Sequence, residues 1–166
     1  MRIEAKEKKM KIGFYAGSFD PFTNGHLQVI QKSAQLFDKV VVGIGVHSMK
    51  TRRFDKNKMK EAIEKVLIRE KLDNVTVIAY NNLSVDVAKE HQATFLIRGI
   101  RNGIDYQEEE KIAAINEEIS GLDTVYVRAG SLGNLSSSMV MELLNNQKDV
   151  SKYLPPEVKS VIEQKE

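Results

Sequence analysis

The sequence contains no cysteine, so no disulfide framework, thiolate nucleophile or cysteine-ligated metal is available to it. That absence fits a reducing compartment, and a cytoplasmic location is expected. Charge of one sign is also in short supply: 25 basic against 23 acidic residues leave +2 over 166 residues, too little to mark a nucleic-acid or membrane surface. No apolar run approaches the ~20 residues a spanning helix needs. No secretory core follows the basic opening MRIEAKEKKM. Histidine is scarce, with three in the chain, and none stands with an acid at metal-ligand spacing, which argues against a dedicated protein metal cage. The cations cluster in loops without an aromatic stacking platform, which leaves nucleic-acid binding unsupported.

What is present is ordinary globular material, 42% hydrophobic and 29% charged, at a length that suits one domain with a full core. Residues 1–10 are charged and without period, and read as a flexible N-terminal extension in which Met10 is an alternative start. Residues 11–166 read as a single domain.

From Lys11 the pattern alternates. KIGFYA (11–16) predicts a strand, followed by a glycine-bearing turn and a helix from near Gly25 with Leu27, Ile30, Ala34 and Phe37 on one face. KVVVGIGV (39–46) is nearly continuous in apolar residues, as for a strand covered on both faces. A basic loop then leads to a helix marked by Met59, Ala62, Ile63, Val66 and Leu67. Three further strands are predicted at 74–80, 93–100 and 123–129, with helices at 84–91, 106–119 (Ile112, Ile115 and Ile119 on one side) and from a Ser136 cap to about Asn145. YLPPEV breaks the chain before a last short helix. Strand and helix alternating in this way predict an α/β fold, a doubly wound sheet of about five parallel strands with helices on both faces. In such sheets ligands bind beyond the carboxyl ends of the strands.

The loops at that edge share a chemistry. After strand one stand Ser18, Asp20, Thr23 and His26; after strand two, Lys50, Arg52 and Arg53, with His47 near; after strand four, RGIRNG with Arg98 and Arg101; after strand five, GSLGNLSSS leading into a helix. Taken singly each has a simpler explanation: turn residues, a capping histidine, a solvated lysine, arginines paired with the Glu108–Glu110 run, a serine cap. Gathered on one edge, cations, backbone N–H groups and helix N-termini describe a pocket for a polyphosphate. His91 precedes a strand, at the opposite edge, and reads as structural or exposed.

These residues bring a family into view. Thr23-Asn24-Gly25-His26, within GSFDPFTNGH, resembles the (T/H)xGH signature of the nucleotidyltransferase superfamily in its threonine-first form. LIRGIRN (96–102) and SSS (136–138) match bacterial phosphopantetheine adenylyltransferases in order and spacing, and the likeness runs from about residue 11 to about 156. The resemblance implies a Rossmann-like fold and transfer of AMP from ATP to 4'-phosphopantetheine, giving dephospho-coenzyme A and pyrophosphate. The acceptor phosphate would attack the α-phosphorus in line, without a covalent enzyme intermediate. Magnesium would arrive with ATP, and the family's hexamer would extend to this chain.

By the same resemblance His26, Lys50 and Arg101 are the catalytic residues. His26 would donate to the α-phosphate, Lys50 would neutralise it or the attacking phosphate, and Arg101 would hold the β- or γ-phosphates. Ser18 would meet both substrates, while Lys50, Ser84 and Arg98 would contact the acceptor, Arg98 at its phosphate. Phe19, Gly99, Ile100, Glu109 and the segment Leu132, Gly133, Asn134, Leu135, Ser136, Ser137 and Ser138 match nucleotide-binding positions. Two rivals remain at this point: another superfamily member with a different acceptor, such as a nicotinate mononucleotide adenylyltransferase, and a non-catalytic ATP-binding module.

Overall fold

The computed structural model describes residues 9–46, 49–132 and 134–164. His47, Gly133 and most of the N-terminal extension therefore lie outside the described residues; Lys9 and Met10 are exposed. Five strands, β1 (Ile12–Gly17), β2 (Lys39–Gly45), β3 (Val75–Tyr80), β4 (Phe95–Ile100) and β5 (Thr124–Arg128), alternate with α1 (Asn24–Leu36), α2 (Lys56–Arg69), α3 (Ser84–Glu90) and α4 (Gly103–Ser120). A 3-10 turn, Gly130–Leu132, then leads to α5 (Ser137–Asn145) and α6 (Pro156–Glu163).

Every neighbouring pair is parallel, and the strand order is β3-β2-β1-β4-β5. The chain winds outward from β1 to β3 and then returns to the other side of β1 for β4. The carboxyl ends of β1 and β4 therefore flank the point where the winding reverses, the crevice in which doubly wound sheets bind ligands.

The apolar runs follow from double coverage of the sheet. Val40, Val42 and Ile44 face one core with Tyr15, Val75, Val77 and Ile97, against Val29 and Ile30 of α1, Met59, Ile63 and Val66 of α2, and Val158 of α6. Their neighbours Val41, Ile12, Phe14 and Leu96 face the other core, against Val85, Val87 and Ala88 of α3. Strand side chains alternate between faces, so a strand buried on both sides must be apolar at consecutive positions. The stripe foreseen on α2 is its buried face: Met59, Ala62, Ile63, Val66 and Leu67 are all buried.

The strand predicted over 93–100 ends where expected: Arg98, Gly99 and Ile100 continue β4, in register with Tyr126, Val127 and Arg128, so the first half of RGIRNG belongs to the strand. The ladder partners offered by β5 override the weak strand preference of glycine, since strand preference is decided by neighbours. Helix α4 begins at Gly103 rather than Tyr106, because the Asn102 side chain accepts from the Asp105 N–H at 2.9 Å and caps an earlier turn. Along α4, Ile112, Ile115 and Ile119 are 51%, 58% and 56% exposed, so the side they share does not face this chain's core.

Met59 has no exposed surface and sits between α2 and the sheet. Met59→Ala is expected to lower unfolding free energy by about 2–5 kcal/mol through lost transfer energy and an unfilled cavity, measured by urea denaturation at unchanged m-value.

Candidate active site

The turn from β1 into α1 is built around one histidine. Thr23 is the N-cap of α1, and its hydroxyl accepts from the His26 N–H at 3.3 Å. In return the Thr23 N–H donates to His26 Nδ1 at 3.0 Å, closing a capping box in which histidine occupies the place glutamate usually holds. A nitrogen that accepts from an N–H carries no proton, so the proton of the neutral ring resides on Nε2. Behind the ring, Phe19 packs edge-on at 4.9 Å and Phe22 stacks at 5.6 Å. Burial, then the Arg101 and Arg98 guanidinium groups, push the imidazole down from its ordinary 6.5 to about 4. At neutral pH the site thus holds an uncharged donor, Nε2–H, at the positive end of a helix.

His26 lines a cavity of about 260 Å³ together with Ser18, Gly25, Arg98, Gly99, Arg101, Leu135, Ser136, Ser137 and neighbouring residues. A second cavity of about 460 Å³ opens across the end of β1 toward β2 and β3, lined by Gly45, Val46, Tyr80, Asn81, Asn82, Leu83 and Ser84. Ala16, Gly17, Ser18 and Arg98 belong to both. The site is therefore one crevice with two lobes, joined where β1 ends. Two glycines permit the close approach of the walls of the first lobe. A Cβ on Gly25 would stand 3.3 Å from the Leu132 carbonyl oxygen, and one on Gly99 3.0 Å from Val29 Cγ2.

The cations of the crevice are held by carboxylates. Arg98 donates from Nε and Nη2 to Glu109 at 2.6 and 2.8 Å, and from Nη1 to the Ala16 carbonyl at 2.9 Å. Arg101 donates to Asp105 from Nε at 2.7 Å and from Nη2 at 3.1 Å. These paired donors keep Asp105 below the usual carboxylate range. Among the described residues no group of three or more His, Cys, Asp or Glu is gathered where a metal could be held, and none of the helices is long and apolar enough to cross a membrane.

Several expected site residues meet in the first lobe: Ser18, Phe19, His26, Arg98, Gly99, Arg101, Glu109, Leu135, Ser136 and Ser137. Phe19 is 2% exposed, and its ring packs against His26 as backing. Ser136 caps α5 at the Met139 N–H (3.1 Å), and Ser137 Oγ donates to the Pro21 carbonyl (2.7 Å), tying α5 to the histidine turn. Ser84 lies in the second lobe, its hydroxyl bonded to that of Tyr80 at 2.7 Å.

Ile100, Leu132, Asn134 and Ser138 line neither lobe. Ile100 is the last residue of β4, and Ser138 and Asn134 are exposed. Lys50 is exposed in the loop between β2 and α2 and also lines neither lobe, although its loop is bonded to the turn carrying Ser18. Gly133 and His47 fall outside the described residues. His91 ends α3, its Nδ1 3.0 Å from the Val87 carbonyl, away from the crevice. Sequence reasoning missed Tyr15, Val29 and Asp105 as lining residues. Only Asp105 left a signal, its spacing of four from Arg101 on a helix start.

Comparison with known proteins agrees with this architecture. The Cytidylyltransferase-like family model matches residues 14–145. A phosphopantetheine adenylyltransferase of Porphyromonas gingivalis is 38% identical over 148 residues, covering 89% of this chain and 95% of that protein. One of Lachnoclostridium phytofermentans is 41% identical over 155 residues, covering 92% and 94%. Among solved structures, a putative nicotinate-nucleotide adenylyltransferase from Vibrio parahaemolyticus superposes with a TM-score of 0.67 at 17% identity, over 94% of this chain and 93% of that one. At that identity the likeness is one of fold.

The lowered pKa of His26 has a thermodynamic consequence. Because the folded ring protonates near 4 and the free side chain near 6.5, the unfolded chain binds the extra proton between those values. Stability from this residue is then complete above pH 6.5 and is lost as pH falls toward 4. A His26→Gln variant is expected to show a flatter decline of unfolding free energy across that window than the parent. Identical slopes in the two proteins would mean that the ring is not held neutral.

Proposed function

This chain belongs to the phosphopantetheine adenylyltransferases, and from that premise we propose that it transfers the adenylyl group of ATP to 4'-phosphopantetheine. An oxygen of the acceptor phosphate attacks the α-phosphorus, the bond from that phosphorus to the β-phosphate oxygen breaks, and dephospho-coenzyme A and pyrophosphate leave. The observation that carries this reading is the two-lobed crevice meeting at Ser18 and Arg98, with the neutral Nε2–H of His26 in one lobe. Two substrates that react directly with each other need adjoining sites and a fixed approach, and alignment supplies much of the rate in such transfers.

In this reading ATP occupies the first lobe and the acceptor the second. His26 Nε2–H, with the α1 N-terminus, stabilises charge building on the α-phosphate oxygens in the transition state. Arg101 reaches the β- and γ-phosphates, Arg98 at the junction holds the acceptor phosphate, and Lys50 extends its long side chain from the loop between β2 and α2 toward the reacting phosphates. Glu109 orients Arg98, and Ser136 and Ser137 close the nucleotide side. Ser84, with Tyr80, meets the acceptor's arm. Magnesium enters as part of the ATP substrate, bound by phosphate oxygens. The exposed isoleucines of α4 support self-association, and a hexamer in the cytoplasm is the expected assembly, checked by sedimentation velocity.

Pyrophosphate release with ATP, magnesium and 4'-phosphopantetheine tests the reaction, nicotinate mononucleotide as acceptor being the control that must stay silent. His26→Ala is expected to lower kcat about 10²–10³-fold, the usual cost of one transition-state donor, with a far smaller change in ATP binding by calorimetry. Arg98→Ala is expected to raise KM for phosphopantetheine at least about tenfold, as for a lost charged hydrogen bond. An effect confined to KM for ATP would reverse the assignment of the two arginines.

A further inference from the structure

The loop that carries Lys50 is fastened to the histidine turn by a buried ion pair that the proposed reaction does not itself use. Asp20 is 8% exposed. Its carboxylate accepts from the Arg53 N–H at 2.7 Å and from the Phe54 N–H at 2.9 Å, and faces Arg52 Nη2 at 3.6 Å. Arg52 is as deeply placed, its side chain 13% exposed. It spends its fork on backbone carbonyls of both loops: Nε donates to Phe54 at 3.0 Å, Nη1 to Ser18 at 2.5 Å and Nη2 to Phe19 at 3.5 Å. Arg53 adds a bond from Nη1 to the Asp20 carbonyl at 2.8 Å.

The contacts span the first and second lobes. Ser18 belongs to both cavities, and Phe19 backs the His26 ring. On the other side the anchored stretch ends at Asp55, which caps α2 by accepting from the Asn57 and Lys58 N–H groups at 2.9 and 3.0 Å. Lys50 stands two residues before Arg52, a tether of no more than about 7 Å between Cα atoms. Arg52 thus joins a rigid helix start, the ends of both loops and Ser18, and the position of Lys50 relative to His26 is set through it.

We propose that Arg52, braced by Asp20, is a positioning residue for adenylyl transfer: it holds the Lys50 loop at a fixed distance from the His26 turn, so that the lysine ammonium and the imidazole act on the same phosphate. The inference rests on the role given above to Lys50. The geometry of the fork matters more than its charge. A lysine at 52 keeps a cation opposite Asp20 but cannot donate to three carbonyls in one plane. Displacements on the ångström scale in such sites cost up to about a hundredfold in rate.

The test is a double-substitution cycle in the full-length protein, following pyrophosphate release. Arg52→Lys is expected to lower kcat about tenfold or more, with KM for ATP changed less than about twofold and little change in Tm. In a Lys50→Ala background the same substitution is expected to have no further effect, because the group it positions is gone. Asp20→Asn should repeat the pattern from the other side of the pair. Losses that multiply, or full turnover in Arg52→Lys while Lys50→Ala is impaired, would overturn the positioning role alone. Normal turnover in Lys50→Ala by itself would overturn the role of the lysine and the inference with it. A fall in Tm with kcat unchanged at low temperature would reduce Asp20 and Arg52 to a structural ion pair.

Discussion

The hydrogen bond from the Thr23 N–H to His26 Nδ1 is the constraint from which the chemistry of this crevice follows. It joins the capping of a helix to the choice of a tautomer. With Nδ1 committed as an acceptor, the ring can be neutral only with its proton on Nε2, and protonating it would set two N–H groups against each other. Burial, with two aromatic rings packed against the imidazole, and the charges of Arg101 and Arg98 oppose the protonated form. The result is a donor whose state does not vary across neutral pH, held on a helix whose own dipole carries the positive field. The backbone contributes here too: Phe19 adopts φ 45°, a left-handed conformation that costs energy outside glycine, and its ring is thereby turned behind the histidine.

Strand order supplies the second requirement. Since β1 lies between β2 and β4, the end of β1 belongs to two neighbouring clefts, and residues there face both. Arg98 spans that boundary from β4. Its bonds to Glu109 and to the Ala16 carbonyl hold the guanidinium in one orientation and leave further N–H groups for a ligand. Arg101 is restrained in the same manner by Asp105. Such pairing lowers the net positive field of the cleft but fixes its donors beforehand, so that less side-chain freedom remains to be lost on binding. A transfer that depends on alignment favours that arrangement.

The two cores show why so much of the fold was legible. The stripe on α2, the cap at Ser136 and the unbroken apolar run of β2 are local records of burial, and each reappears as such in the structure. The strand end predicted at Ile100 is held there by the partner beside it, since β5 extends far enough to keep Gly99 and Ile100 in the ladder. Leu132, Asn134 and Ser138 share with Leu135, Ser136 and Ser137 a match to the family's nucleotide-binding positions, while the fold turns only the latter three toward the cavity. In the sequence Asp20 is only one of the polar residues in the loop after strand one. Its burial against Arg52 and the N–H groups of residues 53 and 54 comes from a contact more than thirty positions away, which no local pattern records.

By itself the chain order determined the alternation of strands and helices, the double-sided burial of the sheet, and the gathering of histidine, cations and serines at one edge, because side-chain period and turn chemistry are properties of short segments. Only the tertiary structure decided which of those side chains share a cavity. It also decided that the crevice has two lobes joined at Ser18 and Arg98, and that the imidazole is neutral. These depend on strand order, on the packing of rings behind a histidine and on charges distant in sequence, and electrostatic and hydrogen-bond geometry exists only once such groups have been brought within a few ångströms of one another.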